Sequence, residues 1–245
     1  MLREKWRKLY LVAALSLLPM GANADVPWQF AGNTRFAAFG DSLAAGVGAI
    51  PMTQGYTYLL YQQGVFDAVP NTLFTNAGVP GATSEDVLLH QAPMVIDAFT
   101  PSAITLTVGG NDLLSILDGA DPGTVLFTFQ TNLSGILSAL CFDLATKLPP
   151  TQPPRIFVSN LYTIPDFMIP VDAVVGAFNL IVDGVVSSFA TAGCNVRVAN
   201  VFSAFLDRDG LLLIKRNGAG VFEVHPTNAG HRAMAAAFKK AIKAE

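Results

Sequence analysis

Five short runs of aliphatic, aromatic and β-branched residues recur along the chain: Arg35 to Phe39, Thr72 to Asn76, Ala103 to Val108, Arg155 to Leu161 and Asn195 to Phe202. Each is bounded by Gly, Pro, Asn or Asp, and most are apolar almost without interruption. Such runs are expected of strands buried on both faces, as in a parallel sheet. Between them the apolar spacing changes to three and four residues. Leu126, Phe129, Leu133, Leu137, Leu140, Leu144 and Leu148 follow it, as do Val171, Val174, Phe178, Ile181, Val185 and Phe189, and both sets predict amphipathic helices. Strand and helix alternating in this way predict an α/β chain folded as a three-layer α/β/α sandwich with about five parallel strands. The Pro-rich stretch Pro149 to Pro154 is expected to be a loop into the fourth strand.

The first residues break this pattern. Arg3, Lys5, Arg7 and Lys8 are followed by an aliphatic run from Leu9 to Leu18 and then by Ala22-Asn23-Ala24. A basic start, a short apolar stretch and small residues at a cleavage site are the signature of a secretory leader. The apolar run is about half of the ~20 residues a membrane span needs. Residues 1–24 are therefore expected to be removed between Ala24 and Asp25, leaving 25–245 as a single domain of a secreted or periplasmic protein. The mature chain carries 11 basic and 17 acidic residues. With 13% charged and 51% hydrophobic residues overall, this excludes disorder and disfavours polyanionic partners such as nucleic acid. Pro122 to Phe142 is uncharged, but Gln130, Thr131, Asn132, Ser134 and Ser138 make it a poor transmembrane helix, so no membrane span is expected after the leader.

Two cysteines, Cys141 and Cys194, remain. In an oxidising compartment one disulfide is the simplest reading, with two buried thiols as the alternative.

In an open parallel sheet, ligands bind beyond the carboxyl ends of the strands, where the strand order reverses. The residues there carry chemistry. Gly40-Asp41-Ser42-Leu43 follows the first strand, Asn76-Ala77-Gly78 the second and Gly109-Gly110-Asn111-Asp112 the third, while His225-Pro226 precedes an Ala-rich final helix. A serine hydroxyl is a weak nucleophile that needs a base within hydrogen-bond reach, and His225 can supply it. Acyl transfer also develops an oxyanion, for which the amides of Ser42 and Gly78 and the side chain of Asn111 offer donors.

On these four blocks, in this order, the chain resembles the GDSL or SGNH hydrolases, a family of esterases and lipases with a flavodoxin-like fold. The resemblance runs from about Arg35 to Lys240. It implies Ser42 as nucleophile, His225 as base, and Gly78 and Asn111 as partners of the Ser42 amide in an oxyanion hole. One position departs from the family pattern: an aspartate is usual three residues before the histidine, and Phe222 stands there. The imidazole needs an acceptor for its other ring proton. Glu223 is the first candidate, a main-chain carbonyl near Phe222 the second, and Asp207 and Asp209 are distant third choices. Glu223 read as a solvated loop charge is the competing view.

Other polar residues have plainer readings. Asp41 is expected to brace the nucleophile turn, Asp112 to cap a helix, Thr83 and Ser84 to cap another, His231 to make a structural hydrogen bond, and His90 to sit in packing or at the surface. Asn217-Gly218, between Leu211 to Ile214 and Val221 to Val224, predicts a hairpin that projects His225 toward the site. No G-x-S-x-G elbow, phosphate loop, dinucleotide fingerprint or H-E-x-x-H sequence is present, so neither cofactor nor catalytic metal is expected. The apolar segment Leu161 to Pro170 is a candidate lining for an acyl chain, which favours small-molecule or lipid esters with aliphatic acyl groups. A carbohydrate acetylesterase and a non-catalytic lipid-binding relative are the alternatives.

Overall fold

The computed structural model describes residues 32–164, 171–206, 213–219 and 222–244. The leader expected at 1–24, the part of the lining segment from 165 to 170, and Asp207 and Asp209 lie outside the described residues.

The chain forms β1 (Thr34–Gly40), α1 (Ser42–Ala45), α2 (Tyr56–Gln62), β2 (Thr72–Asn76), α3 (Ser84–Asp86), α4 (Ala92–Ala98), β3 (Ala103–Thr107), α5 (Gly110–Leu117) and α6 (Pro122–Ser138). It continues through β4 (Arg155–Ser159), α7 (Val171–Thr191), β5 (Val196–Ala199), α8 (Val201–Leu206), β6 (Ile214–Arg216), β7 (Phe222–Pro226) and α9 (Asn228–Lys243). Five strands pair in the order β2-β1-β3-β4-β5, all parallel, while β6 and β7 form a separate antiparallel pair. The order reverses between β1 and β3, so the crevice of a doubly wound sheet opens there.

The period of two along the strands divides the core between the two faces. Ala37, Phe39, Ile104, Leu106, Ile156 and Val158 face the layer containing α4, α6 and α7. Phe36 and Phe157 face Tyr56, Leu60, Met234 and Phe238 of α2 and α9. β3 is buried at every residue, Thr105 and Thr107 included, so neither face of this strand meets solvent. The fifth strand is shorter than expected, because Val201 and Phe202 begin α8. An apolar run cannot by itself distinguish a strand's end from a helix's buried start.

Helix starts follow local capping. Asp121 accepts from the amide and hydroxyl of Thr124 at 2.8 and 2.7 Å, with Pro122 in the first turn of α6. Thr83 and Asp86 form a reciprocal capping box. Pro122–Lys147 and Asp172–Thr191 are long and apolar enough to cross a membrane by length and composition. Here they place Phe129, Leu133, Ile136, Leu137, Phe178 and Val182 in the core.

Cys141 and Cys194 are joined by a disulfide that closes a loop of 53 residues, tying the end of α6's extension to the entry of β5. A loop of this length constrains the unfolded chain by about 4 kcal/mol. The Cys141→Ser/Cys194→Ser double variant is expected to lose up to about that much unfolding free energy in urea titration, with the native near-ultraviolet spectrum retained.

Candidate active site

β1 ends in a turn that only glycine allows. Gly40 has φ +125, and a Cβ there would lie 1.8 Å from the Thr107 carbonyl oxygen. Asp41 then leaves the sheet: its N–H donates to the Thr107 carbonyl at 3.2 Å. Its carboxylate accepts from Leu43 N–H at 2.9 Å and from the Thr107 hydroxyl at 3.1 Å. Asp41 is thus the N-cap of α1, which runs four residues before Gly46 ends it in the left-handed region. Ser42 is the first residue of that helix, a position whose N–H has no partner within the helix.

The histidine arrives from the opposite end of the chain. His225 lies within β7, which pairs antiparallel with β6, and after β6 Ala219 N–H donates to Asn217 Oδ1 at 2.9 Å. The Tyr162 hydroxyl donates to the Val224 carbonyl at 2.5 Å, and its ring stacks on Phe205 at 4.2 Å. Gly48, at φ +97, packs so closely on this strand that a Cβ would sit 2.2 Å from the Pro226 carbonyl oxygen and 3.2 Å from the His225 Cβ. Held in this way, His225 Nε2 lies 3.0 Å from Ser42 Oγ.

The other expected site residues fall as follows. Asn111 lines the same cleft as Ser42, and its Nδ2 donates to the Ala82 carbonyl at 2.8 Å. A carboxamide nitrogen carries two hydrogens, so this bond fixes the group while leaving one donor. Gly78 serves differently. Its N–H donates to the Asn76 side chain at 3.0 Å, in an Asx turn. A Cβ at 78 would meet the Ala44 Cβ and Ala45 N at 2.6 Å. What approaches this glycine is α1 itself, and the Asn76 side chain also donates to the Ala44 carbonyl at 2.7 Å.

Glu223 shares a face of β7 with His225, two residues away. Its carboxylate stands 3.9 Å from Lys215 Nζ, and no hydrogen bond joins it to the imidazole among the described residues. It acts on the ring through charge. The His225 pKa is lowered from 6.5, first by burial, with Glu223 opposing and Lys215 adding to the shift. Burial raises Asp41 to about 6, against hydrogen bonds from Leu43 and Thr107 that lower it.

The remaining residues are structural. Buried His231 accepts from Tyr56 N–H at Nδ1 (3.3 Å), and its Nε2 meets the Val47 carbonyl at 3.0 Å. Exposed His90 lies in the turn between α3 and α4. Asp112 does more than start its own helix: its carboxylate takes the Ser84 amide at 3.0 Å and the Ser84 hydroxyl at 2.5 Å, capping α3 from α5. Two residues that bind the site loops were not visible as such in the sequence. Gln91 pairs with both peptide groups of Gly40 at 2.8 Å, and Asn179 pairs with both of Leu161 at 2.7 and 2.9 Å. A polar residue on the buried side of an apolar helical run is the available signal, and it does not name the partner.

The cleft beside Ser42 is walled by Leu43, Leu113, Leu114, Leu161, Ile164 and Val224, with Ser159 and Asn160 among its polar members. Among the described residues, no three His, Cys, Asp or Glu side chains come together as a metal site.

A hydroxyl, an imidazole and a carboxamide meeting at the switch point of a parallel sheet accord with the family model that matches residues 38–233, the GDSL-like lipase/acylhydrolase family. The chain belongs to that family. No curated protein matches the sequence. Among solved structures, the chain is similar to a member of the lipolytic G-D-S-L family from Veillonella parvula, at 22% identity and TM-score 0.59, covering 83% of this chain and 95% of that one. An acetylxylan esterase from Geobacillus stearothermophilus gives 19%, 0.63, 86% and 95%. A family 3 carbohydrate esterase from Clostridium thermocellum gives 21%, 0.62, 86% and 98%. At these identities the likeness is one of fold. The chain shares with these structures the fold that carries Ser42 and Asn111 at the ends of a five-stranded parallel sheet.

Two outcomes follow from the electrostatics. If His225 serves as a base, activity rises as the ring loses its proton, and the ascending limb of kcat/KM is expected to have its midpoint below 6.5. Lys215→Gln should move that limb to higher pH and Glu223→Gln to lower pH. For Asp41, the folded pKa lies above its ordinary 3.8, so the folded state holds the proton longer. The associated stability is full below 3.8 and is lost as pH rises through about 6. Asp41→Asn keeps a capping oxygen without the charge. In thermal or urea unfolding, its stability relative to the parent should rise between about pH 3.5 and pH 7, by up to about 3 kcal/mol.

Proposed function

We propose that this acylhydrolase is a serine esterase of carboxylic esters with aliphatic acyl chains, working through an acyl-enzyme on Ser42. The observation that carries the reading is the 3.0 Å approach of His225 Nε2 to Ser42 Oγ. Ser42 Oγ attacks the ester carbonyl carbon and passes its proton to Nε2. The carbonyl π electrons move to oxygen, where the Ser42 N–H and the free Asn111 hydrogen donate to the oxyanion. When the tetrahedral adduct collapses, the C–O bond breaks and the alcohol leaves with the proton from His225. Water then adds to the acyl carbon, giving its proton to the same nitrogen, and Ser42 Oγ departs and takes that proton back. Gly78 would join the oxyanion hole only by exchanging Asn76 for the substrate oxygen.

The acyl side of the reading rests on the cleft lining. Leu113, Leu114, Leu161 and Ile164 beside the nucleophile suit methylene groups, each worth about 0.8 kcal/mol when buried. A carbohydrate acetylesterase is the second reading, favoured by the acetylxylan esterase and the carbohydrate esterase among the similar structures. The order of basic, apolar and small residues in 1–24 supports an exported enzyme, a setting in which the Cys141–Cys194 bond persists.

Hydrolysis of p-nitrophenyl esters by the mature chain tests the proposal. Ser42→Ala should reduce kcat by at least about a thousandfold. The parent kcat/KM should climb from acetate to butyrate and hexanoate. Turnover that survives Ser42→Ala contradicts the mechanism, and a preference for acetylated xylooligosaccharide over every alkyl ester selects the second reading.

A further inference from the structure

Three carboxamides near the site each bond both the N–H and the C=O of one residue, in a loop or at a strand's end. Asn179, on α7, holds Leu161 of the cleft wall. Asn228, at the start of α9, holds Ile50 at 2.8 and 2.7 Å, in the loop whose Gly48 packs on His225. Gln91 holds Gly40, two residues before the serine: its Oε1 accepts from Gly40 N–H and its Nε2 donates to the Gly40 carbonyl, both at 2.8 Å.

Gln91 is the most deeply buried of the three, at 3% exposure against 9% for Asn179. The ladder between β1 and β2 ends at the Ala38–Asn76 pair. Beyond it, Val79 N–H donates to the Gly40 carbonyl at 2.9 Å, and the Gln91 side chain bonds that same carbonyl together with the Gly40 N–H. A carboxamide suits this task because it presents an acceptor and a donor in one plane. Gln91 closes the five-residue π-helical turn Val87–Gln91 between α3 and α4. One extra residue in a helical turn re-aims the side chains that follow, and such turns recur at functional sites.

We infer that Gln91 is a positioning residue for Ser42, fixing the exit of β1 so that the hydroxyl meets His225. Its effect passes through Gly40, whose φ of +125 sets the direction in which Asp41 and Ser42 leave the sheet. The inference rests on the esterase reading for its kinetic consequence, while the clamp itself is a property of the fold.

The test compares Gln91→Leu, Gln91→Glu and, as a destabilised control away from the site, Ile136→Ala. At temperatures where circular dichroism shows all of them folded, Gln91→Leu should lose at least about tenfold in kcat with KM within about threefold, and Ile136→Ala should keep the parent kcat. Gln91→Glu separates positioning from packing. The protonated acid offers one acceptor and one donor and restores both bonds, whereas the carboxylate faces the Gly40 carbonyl with no hydrogen. Its kcat should approach the parent value in mild acid and fall as pH rises, adding a descending limb the parent lacks. By amide hydrogen exchange, Gly40 should lose protection in Gln91→Leu whatever the turnover. Retention of kcat within twofold in Gln91→Leu, or a Gln91→Glu profile parallel to the parent's, overturns the inference. Inactivity of the parent on every ester would defeat the esterase reading alone, leaving Gly40 exchange to decide the clamp: unchanged protection would overturn it.

Discussion

The contact on which the functional architecture depends is the 3.0 Å approach between Ser42 Oγ and His225 Nε2, across 183 residues of sequence. Neither partner is placed by its own neighbours alone. The serine is positioned from the sheet: Gly40 abuts Thr107, Asp41 caps α1 and bonds Thr107, and Gly78 lies against Ala44. The histidine is positioned from the opposite layer through the short β6–β7 pair, by Tyr162 bonding Val224 and by Gly48 packed on Pro226. Sequence separation of this size makes the pair a readout of the whole fold. A shift in either support would lengthen the contact that proton transfer needs to be short.

The site's polarity follows the same division. Behind Ser42 the environment is buried and hydrogen-bonded, with Asp41 held by two donors and pushed up to about 6 by burial. In front of it the half-buried His225 feels Glu223 and Lys215, charges of opposite sign on the hairpin. Because the ring pKa is lowered, the imidazole is neutral at ordinary pH and able to accept a proton. The family pattern has an aspartate three residues before the histidine. Here Phe222 occupies the position, and Glu223 influences the ring at a distance.

Much of this was legible in the sequence, and the limits are physical. The strands were visible because a strand buried on both faces carries few polar side chains: β3, buried at every residue, has only the hydroxyls of Thr105 and Thr107. Ser42, Asn111 and His225 could be named because each follows a strand or precedes a helix in a recognisable block, and the fold brings all three to one end of the sheet. The reason for glycine at 78 was not legible: the sequence offered its amide as an oxyanion donor, whereas the structure has α1 packed against its Cα. Asp112 read as a cap of its own helix but caps α3, since a carboxylate's partner across 28 residues is set by tertiary packing. Gln91 and Asn179 were silent for the same reason: a carboxamide in a helical run announces neither burial nor the peptide it will hold. The fifth strand was overextended because Val201 and Phe202 are apolar whichever element they belong to.

The claim at the centre is that the hydroxyl of Ser42, relieved of its proton by His225, carries the acyl group between ester and water. The most direct measurement is rapid-quench peptide mass spectrometry of the enzyme mixed with an ester whose deacylation is slow. The account predicts a mass increment equal to the acyl group on the peptide containing Ser42, formed at the rate of the product burst and absent when His225 is replaced by alanine. Ester turnover with no adduct at Ser42, or with the acyl group on another residue, would contradict it.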